Sequence, residues 1–429
     1  MQGDFFKESN NRSATQNNYF LYHYERLNTA QKRAVDQVEG AVMVIAGPGT
    51  GKTQILAVRI AKILKDTDAQ AHNILCLTFT DAATIAMRRR LVEIIGPAAH
   101  QIHIYTFHGF CNQVIQENLG VFGDYRQLEP LTDLEKVDVY QKIIDDLPHV
   151  HILKRLKGDP TYEQKRLDNL FQMMKKENLS SEAMIEKIDQ YLLAQKDPLI
   201  NPSMFYKRKG KGYQKGDLKE KDWKVLVHKM DELRAGVALY DQYVRIMTDR
   251  ARYDYQDMIL WVLRAFEKDE SLLASYQERY HYFLVDEFQD TNGAQKAILE
   301  QLISYWSDED PNVFVVGDDD QAIYKFQGAN LSNIKDFRRD YTPTLVVLED
   351  NYRSSQHILD ASKELINYNK ERIINEVSNL TKELRAANSE VNTITTDPII
   401  ASYTNNIQEQ SDIAERLYQD QCSHCLGRS

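Results

Sequence analysis

The sequence predicts an α/β protein: a parallel sheet flanked by helices, interrupted by a mostly α-helical insertion. Three observations carry that expectation. Short apolar runs such as AVMVIA (41–46), ILCLTF (74–79), YFLV (282–285), VFVV (313–316) and LVVL (345–348) are each followed by a turn and a helical pattern, the signature of strands buried on both faces. A glycine-rich turn follows the first run and opens directly onto an amphipathic stretch. From about 113 to 248 the chain is long, charged and of helical period, with few strand-like runs.

Composition sets the outer bounds. With 429 residues, 42% hydrophobic and 27% charged, the chain has the make-up of a globular protein of two or three domains. No apolar run approaches the roughly 18–20 residues of a membrane span, and the polar start MQGDFFKESNNRSATQNN has no apolar signal core, so a cytoplasmic setting is expected and a membrane partner is not. Residues 1 to about 24 are assigned no role. The four cysteines form no disulfide framework, and the CxxC at Cys422 and Cys425 is a weak metal signal in a tail expected to be disordered. A net charge of −10 argues mildly against a protein that coats nucleic acid, although only the field at a groove decides binding.

In chain order, the helix predicted over LNTAQKRAV (27–35), capped by Asn28 or Thr29, carries Gln31, whose amide can pair with the edge of adenine. The cradle comes next: Ala46, Gly47, Pro48, Gly49, Thr50, Gly51, Lys52, Thr53. Its glycines let successive N–H groups converge on one concavity at a helix N-terminus, which suits polyphosphate. Lys52 would reach the β- and γ-phosphates and Thr53 would ligate Mg²⁺. The second strand–turn–helix (73–91) carries Thr78 and Phe79, and HIYTFHGFC (103–111) carries Thr106, Phe107 and His108. Such hydroxyls, rings and imidazoles at strand ends can grip a sugar-phosphate backbone and stack bases, though Phe79 and Phe107 equally suit a core.

Within the insertion, Lys207 to Lys224 (KRKGKGYQKGDLKEKDWK) is a basic patch with Tyr213 and Trp223 interleaved. Its three glycines predict a mobile loop able to contact phosphates while the rings stack. The α/β pattern returns at 252–266, and YFLVDEFQDTN (282–292) ends a strand in Asp286, fit to hold the metal shell, and Glu287, fit to orient or deprotonate the attacking water. After the next strand, Gln321 can sense a γ-phosphate, and Tyr324 and Phe326 lie two apart for one groove. Finally, TLVVLEDNYRSS (344–355) delivers Tyr352, able to stack on a base, and Arg353, able to reach the γ-phosphate across a cleft.

Together these stretches resemble the superfamily 1 helicases of the UvrD/Rep/PcrA type, whose motifs occur here in family order between Leu27 and Ser354. The resemblance implies a RecA-like P-loop NTPase core over 1–112 and 249–340, the helical insertion over 113–248, and the start of a second RecA-like domain over 341–429. It implies ATP and Mg²⁺ as cofactors, single-stranded DNA and duplex junctions as partners, and ATP-driven 3′ to 5′ translocation with strand separation. By the same resemblance Gln31 contacts adenine and Lys52, Thr53 and Gln54 face the nucleotide. Asp286 and Glu287 supply metal carboxylate and base, Gln321 senses γ-phosphate, and Tyr352 and Arg353 contact nucleotide from the second domain. Thr78, Phe79, Thr106, Phe107, His108, Tyr324 and Phe326 line the single-strand track.

Three departures accompany the likeness. Gln54 stands where the family usually has Arg, Phe326 and Gln327 replace Trp-Arg, and the family's two remaining motifs do not occur. The chain is therefore expected to be an incomplete engine that binds Mg–ATP weakly, hydrolyses it slowly and does not unwind duplex. The alternative is a DNA- or partner-binding module with a vestigial ATPase site.

Overall fold

A computed structural model describes residues 18–154, 160–210, 212–306, 311–322, 332–369, 372, 381–393 and 397–426. Tyr324, Phe326 and Gln327 lie outside the described residues. A six-stranded parallel sheet is built from β1 (Val42–Ala46), β2 (Ile74–Thr78), β3 (His103–Thr106), β6 (Tyr282–Val285), β7 (Val313–Gly317) and β8 (Thr344–Leu348), in the order β3-β2-β6-β7-β1-β8. All pairings are parallel, with Val42 opposite both Phe314 and Thr344. Because side chains alternate across a strand, β1 and β2 feed two cores. Met43, Ile45, Leu75 and Leu77 join one cluster, and Val42, Val44, Ala46, Ile74 and Cys76 join the other. The expected boundary at 340/341 falls inside this sheet, because β8 pairs with β1 along all five of its residues.

The helices follow their local signals. Asn28 caps α1 (Thr29–Asp36) in a reciprocal box with Gln31, Thr80 caps α3 (Asp81–Ile95), and α2 (Lys52–Asp66) opens at Gly51. Thr106 caps α4 (Phe107–Glu117), so the turn expected there is the first turn of a helix. The insertion contains α5 (Asp133–Asp145), α6 (Pro160–Lys176), α7 (Ser181–Ala194), α8 (Glu220–Val237) and α9 (Tyr240–Asp249). It packs a core of its own around Tyr140, Phe171, Met174 and Tyr243. Its entry and exit lie side by side as β4 (Glu129–Pro130) and β5 (Arg252–Tyr253), a short parallel pair. The chain returns to the sheet through α10 (Tyr255–Lys268) and α11 (Glu270–Arg279), and α12 (Gly293–Ile303) and α13 (Ser332–Tyr341) flank the later strands.

Beyond β8 lie β9 (Asp350–Asn351), α14 (Gln356–Ile366), β10 (Arg385–Ala386) and α15 (Asn406–Leu426), with β9 and β10 paired in parallel. The tail expected to be disordered is thus helical through Leu426. Residues 18–25, given no role above, are helical and bury Phe20 against the sheet's second core. Among the described residues no helix is long and apolar enough to cross a membrane.

Arg59 on α2 is fully buried, and burial lowers its pKa to about 9. Its guanidinium donates to the carbonyls of Ala34, Gln37 and Val38 and sits 4.3 Å over the Phe314 ring. It fastens the end of α1 to the helix that leaves the cradle. Arg59→Leu keeps the apolar bulk and strands three carbonyls, each costing about 1–3 kcal/mol if nothing replaces the donor. The expected loss, read as a urea midpoint, is about 3 kcal/mol; an unchanged midpoint would contradict this role.

Candidate nucleotide-binding and hydrolysis site

The cradle joins β1 to α2. Gly49 and Gly51 adopt φ of +70° and +89°, which L side chains resist. A Cβ at Gly49 would stand 2.6 Å from Cβ of Arg353, so close approach as well as conformation demands glycine there. Thr50 Oγ1 donates to the Gly47 carbonyl at 2.8 Å, and Gln31 Nε2 donates to the Thr50 carbonyl at 2.9 Å. No side chain caps α2, which leaves its first amides available to an anion.

Facing the cradle is the end of β6. Asp286 is buried, and burial followed by the neighbouring Glu287 charge raises its pKa to about 6. Glu287 sits in the left-handed region at φ 49°, a conformation that costs a non-glycine residue free energy and clusters at functional sites. Lys52 Nζ holds its carboxylate at 2.8 and 2.6 Å. Asp290 is likewise raised to about 6, first by burial and then by Glu287, and its Oδ1 is buried without a hydrogen-bond partner. Carboxylates short of positive charge, with the Thr53 hydroxyl on the cradle, are the hard oxygen donors that suit Mg²⁺. The residues fit that ion.

A hydrogen-bonded relay leads away from Glu287. Gln289, fully buried, donates from Nε2 to Glu287 Oε2 at 2.8 Å and accepts at Oε1 from the Asp318 amide at 2.9 Å. Gln321 Nε2 donates to Asp318 Oδ2 at 2.6 Å. The three carboxylates Asp318, Asp319 and Asp320 converge closely enough to hold a cation, and the buried Lys382 ammonium already fills that position. Arg372 adds a bidentate pair to Asp320 at 2.6 and 2.8 Å. Two residues beyond Lys382, Leu384 lies over Gly47, where an added Cβ would meet it at 2.7 Å.

Past β8 the chain crosses the cradle. Asn351 donates to the Pro48 carbonyl, its Oδ1 accepts from the amides of Arg353 and Ser354, and the Tyr352 amide donates to the Gly49 carbonyl at 2.9 Å. An open cleft of about 680 Å³ beside Gly51 is lined by Tyr22, His23, Arg26, Gln31, Gln54 and Tyr352, among others. Gln54 Nε2 lies 3.3 Å from His23 Nδ1, and burial, then Arg90, lowers the His23 pKa. Gln31 is more constrained than expected: its Oε1 accepts from the Asn28 amide while its Nε2 serves Thr50.

The residues expected to line a single-strand track divide. Phe79 is 42% exposed, beside the buried end of β2. Two of them are interior: Phe107, 2% exposed, packs in the sheet core, the alternative its sequence left open, and Thr78 is buried with its hydroxyl 2.7 Å from that of Thr84. Neither presents itself to a groove as described. Thr106 spends its hydroxyl on the Gly109 amide, and His108 keeps a buried Nε2 without a partner.

Sequence reasoning missed His23, Gln289, Lys382 and Leu384. Gln289 stands inside the acidic motif and was open to notice, whereas Lys382 and Leu384 come from a segment with no local pattern. Asp290 also yields a test. Its raised folded-state pKa contributes stability that is complete below about pH 4 and lost as pH rises through about 6. Asp290→Asn should therefore gain on the parent between about pH 4 and pH 7 without nucleotide or metal, by on the order of 1 kcal/mol after solvent screening. Urea midpoints at both pH values check it, and an equal difference at the two would refute the shift.

Sheet order, glycine cradle and facing carboxylates define a P-loop α/β protein. Residues 27–342 match the UvrD/REP helicase N-terminal domain. The chain belongs to that family. It is 30% identical over 347 residues to the ATP-dependent DNA helicases PcrA of Bacillus subtilis (strain 168) and Staphylococcus aureus (strain Mu50), covering 81% of this chain and 40% of each relative. It is also 30% identical over 349 residues to that of Staphylococcus epidermidis (strain RP62A), at 81% and 41% coverage. The chain thus spans about two fifths of the length of these relatives.

Proposed function

We propose that this chain is the nucleotide-hydrolysing, DNA-engaging portion of an ATP-dependent helicase or translocase of the UvrD/REP type. The observation that carries the reading is the Lys52–Glu287 ion pair, which joins the cradle to a strained carboxylate at the end of β6. Without nucleotide, Lys52 neutralises Glu287. When a triphosphate enters, Lys52 exchanges that carboxylate for phosphate oxygens, and Glu287 is released to orient the attacking water and take its proton. Thr53 and Asp286 would hold Mg²⁺, which supplies charge neutralisation on the phosphates. Arg353, whose Cβ stands over Gly49, would add positive charge from the far side, and Gln321, tethered to the acidic turn, would sense the γ-phosphate. The cleft beside Gln31, Gln54 and Tyr352 would take the base.

The reading divides the chain into a core of 1–112 and 249–340, extended through β8, and an insertion of 113–248. The separate hydrophobic core of the insertion and the β4–β5 pair at its neck support this division. Single-stranded DNA and duplex junctions as partners, and 3′ to 5′ polarity, rest on family likeness. Activity of these 429 residues alone is proposed to be weak, without duplex unwinding. The test is steady-state ATP hydrolysis with and without oligothymidylate, beside Lys52→Ala. Slow, Lys52-dependent turnover stimulated by the oligonucleotide is expected. Oligonucleotide binding without any Lys52-dependent turnover would instead establish a binding module.

A further inference from the structure

The cleft beside Gly51 holds more polar side chains than it has free to read a base. Gln31 is 4% exposed and spent at both ends, its Nε2 on the Thr50 carbonyl and its Oε1 on the Asn28 amide. Arg26 is turned back on Tyr22, donating to its hydroxyl with the guanidinium 5.1 Å from the ring centroid, and Arg90 is paired with Glu93 at 3.2 Å. Asn388 donates to the Tyr352 carbonyl at 3.3 Å and accepts from the Glu390 amide. Ser389 and Glu390, also in the lining, bring a single hydroxyl and an acceptor-only carboxylate, neither of which sets a donor beside a separate acceptor.

Gln54 is different. It stands in the first turn of α2, half-buried, and among the described residues its amide meets only His23, Nε2 to Nδ1 at 3.3 Å. His23 rides on the helix of residues 18–25, which is fastened to the core by Phe20 beneath the Lys65 ammonium at 4.8 Å and by the Tyr24 hydroxyl, which donates to Asp36 at 2.7 Å. Tyr352 supplies a ring on which a base can stack. Its amide is held by the Gly49 carbonyl and its hydroxyl accepts from Asn28 Nδ2 at 3.1 Å.

A carboxamide presents a donor and an acceptor side by side, the complement of adenine's N7 and N6 amino edge, whereas guanine shows two acceptors there. We propose that Gln54, oriented by His23, selects adenine in this chain, and that Gln31 shapes the cradle instead of reading the base. The proposal rests on the triphosphate site proposed above and assigns how that site chooses its base. With the imidazole proton on Nε2, His23 Nδ1 accepts one Gln54 N–H; the other N–H and Oε1 are left to face N7 and the N6 amino group. Reversing the amide would set Oε1 against the Nδ1 lone pair, and the N–H spent on Nδ1 cannot turn to guanine. His23 is thus a positioning residue for Gln54.

The experiment measures dissociation constants of ATP, GTP and 7-deaza-ATP with Mg²⁺, by displacement of a ribose-labelled fluorescent ATP from the full chain. The parent is expected to prefer ATP over GTP by about 10- to 100-fold, the discrimination of a bidentate base contact. It should bind 7-deaza-ATP about 3- to 10-fold more weakly than ATP, the loss of one hydrogen bond. Gln54→Met should bring both ratios close to unity. His23→Phe should lower the preference for ATP over GTP by about 3- to 10-fold, whereas His23→Asp, which keeps an acceptor near the place of Nδ1, should preserve it; a merely structural histidine would move all three nucleotides alike. Gln31→Met should weaken all three by one common factor, because it releases the Thr50 carbonyl and no base contact. A preference for ATP that survives Gln54→Met overturns the proposal, as does a parent that binds ATP and GTP equally or prefers GTP. A parent that binds neither triphosphate refutes the function proposed above and the Gln54 assignment with it, whereas changed ratios over intact ATP binding bear on Gln54 alone.

Discussion

Glu287→Gln is expected to retain nucleotide and to lose its hydrolysis by about 10²- to 10⁴-fold, the range for removing a positioned general base. The amide is nearly isosteric and can still accept from Gln289 Nε2, so the relay to Asp318 survives. What disappears is proton affinity and the negative charge that holds Lys52 at 2.6 Å. Lys52 then faces the phosphates without a competing carboxylate, so nucleotide affinity should hold or rise. Lys52→Ala should behave differently: it removes phosphate contact and leaves Glu287 beside Asp286, so binding and turnover fall together, turnover by about 10²- to 10³-fold. Equilibrium binding of a fluorescent nucleotide, paired with single-turnover hydrolysis, separates the two. A Glu287→Gln chain that still hydrolyses ATP at the parental rate would remove the base from the site and with it the mechanism.

Lys382→Met is expected to be the most damaging single change to stability around the acidic turn. Lys382 and the Asp318 and Asp319 side chains are almost wholly buried. Although burial alone would lower its pKa, the three carboxylates raise the ammonium above the ordinary lysine value. Methionine keeps the length and deletes the charge, leaving uncompensated buried carboxylates, a change that typically costs about 3–5 kcal/mol. The cheapest escape is local. The segment around Lys382 is held by amides from Glu383 to Glu349 Oε1, from Arg385 to the Glu349 carbonyl and from Ala387 to the Asn351 carbonyl. Those amides should lose hydrogen-exchange protection far more than amides of β1 and β7. Leu384 would lift from Gly47 at the same time, so nucleotide affinity should change with it. Parental protection at Arg385 and Ala387 would show that the lysine is not what fastens this segment.

The fold was legible because its strands announce themselves: apolar runs of four to six residues, most of them closed by glycine or acid, suit strands buried on both faces. The cradle was legible for a related reason, since Gly49 and Gly51 must take positive φ whatever surrounds them. Pairings distant in sequence were hidden. Nothing in TLVVL distinguishes a sixth strand beside β1 from the first strand of another sheet, and nothing near Lys382 points to an acidic turn some sixty residues upstream. Phe107 shows the limit from the other side. An aromatic after a strand suits a base-stacking role and a core role equally, and packing against α10, far along the chain, decides for the core. The basic stretch 207–224 was visible as charge but not as structure: Phe205 bridges Leu218, the Gly210 amide donates to the Tyr213 carbonyl, and residues 220–224 open α8.

The strand order also sets a timetable for synthesis. β1 has no neighbour among the strands made early: β7 and β8, which flank it, follow more than 260 residues later. β2 and β3 can pair at once, but β6, which joins them to the rest, trails β3 by about 175 residues, roughly ten to thirty-five seconds of translation at ordinary rates. For longer still, until β7 follows, the all-apolar β1 with its glycine turn stands clear of the ribosome with both edges open, while the insertion can complete its own core. Nascent chains of this protein should therefore be clients of strand-shielding chaperones until β7 emerges, and slowing translation between β3 and β6 should lengthen that dependence.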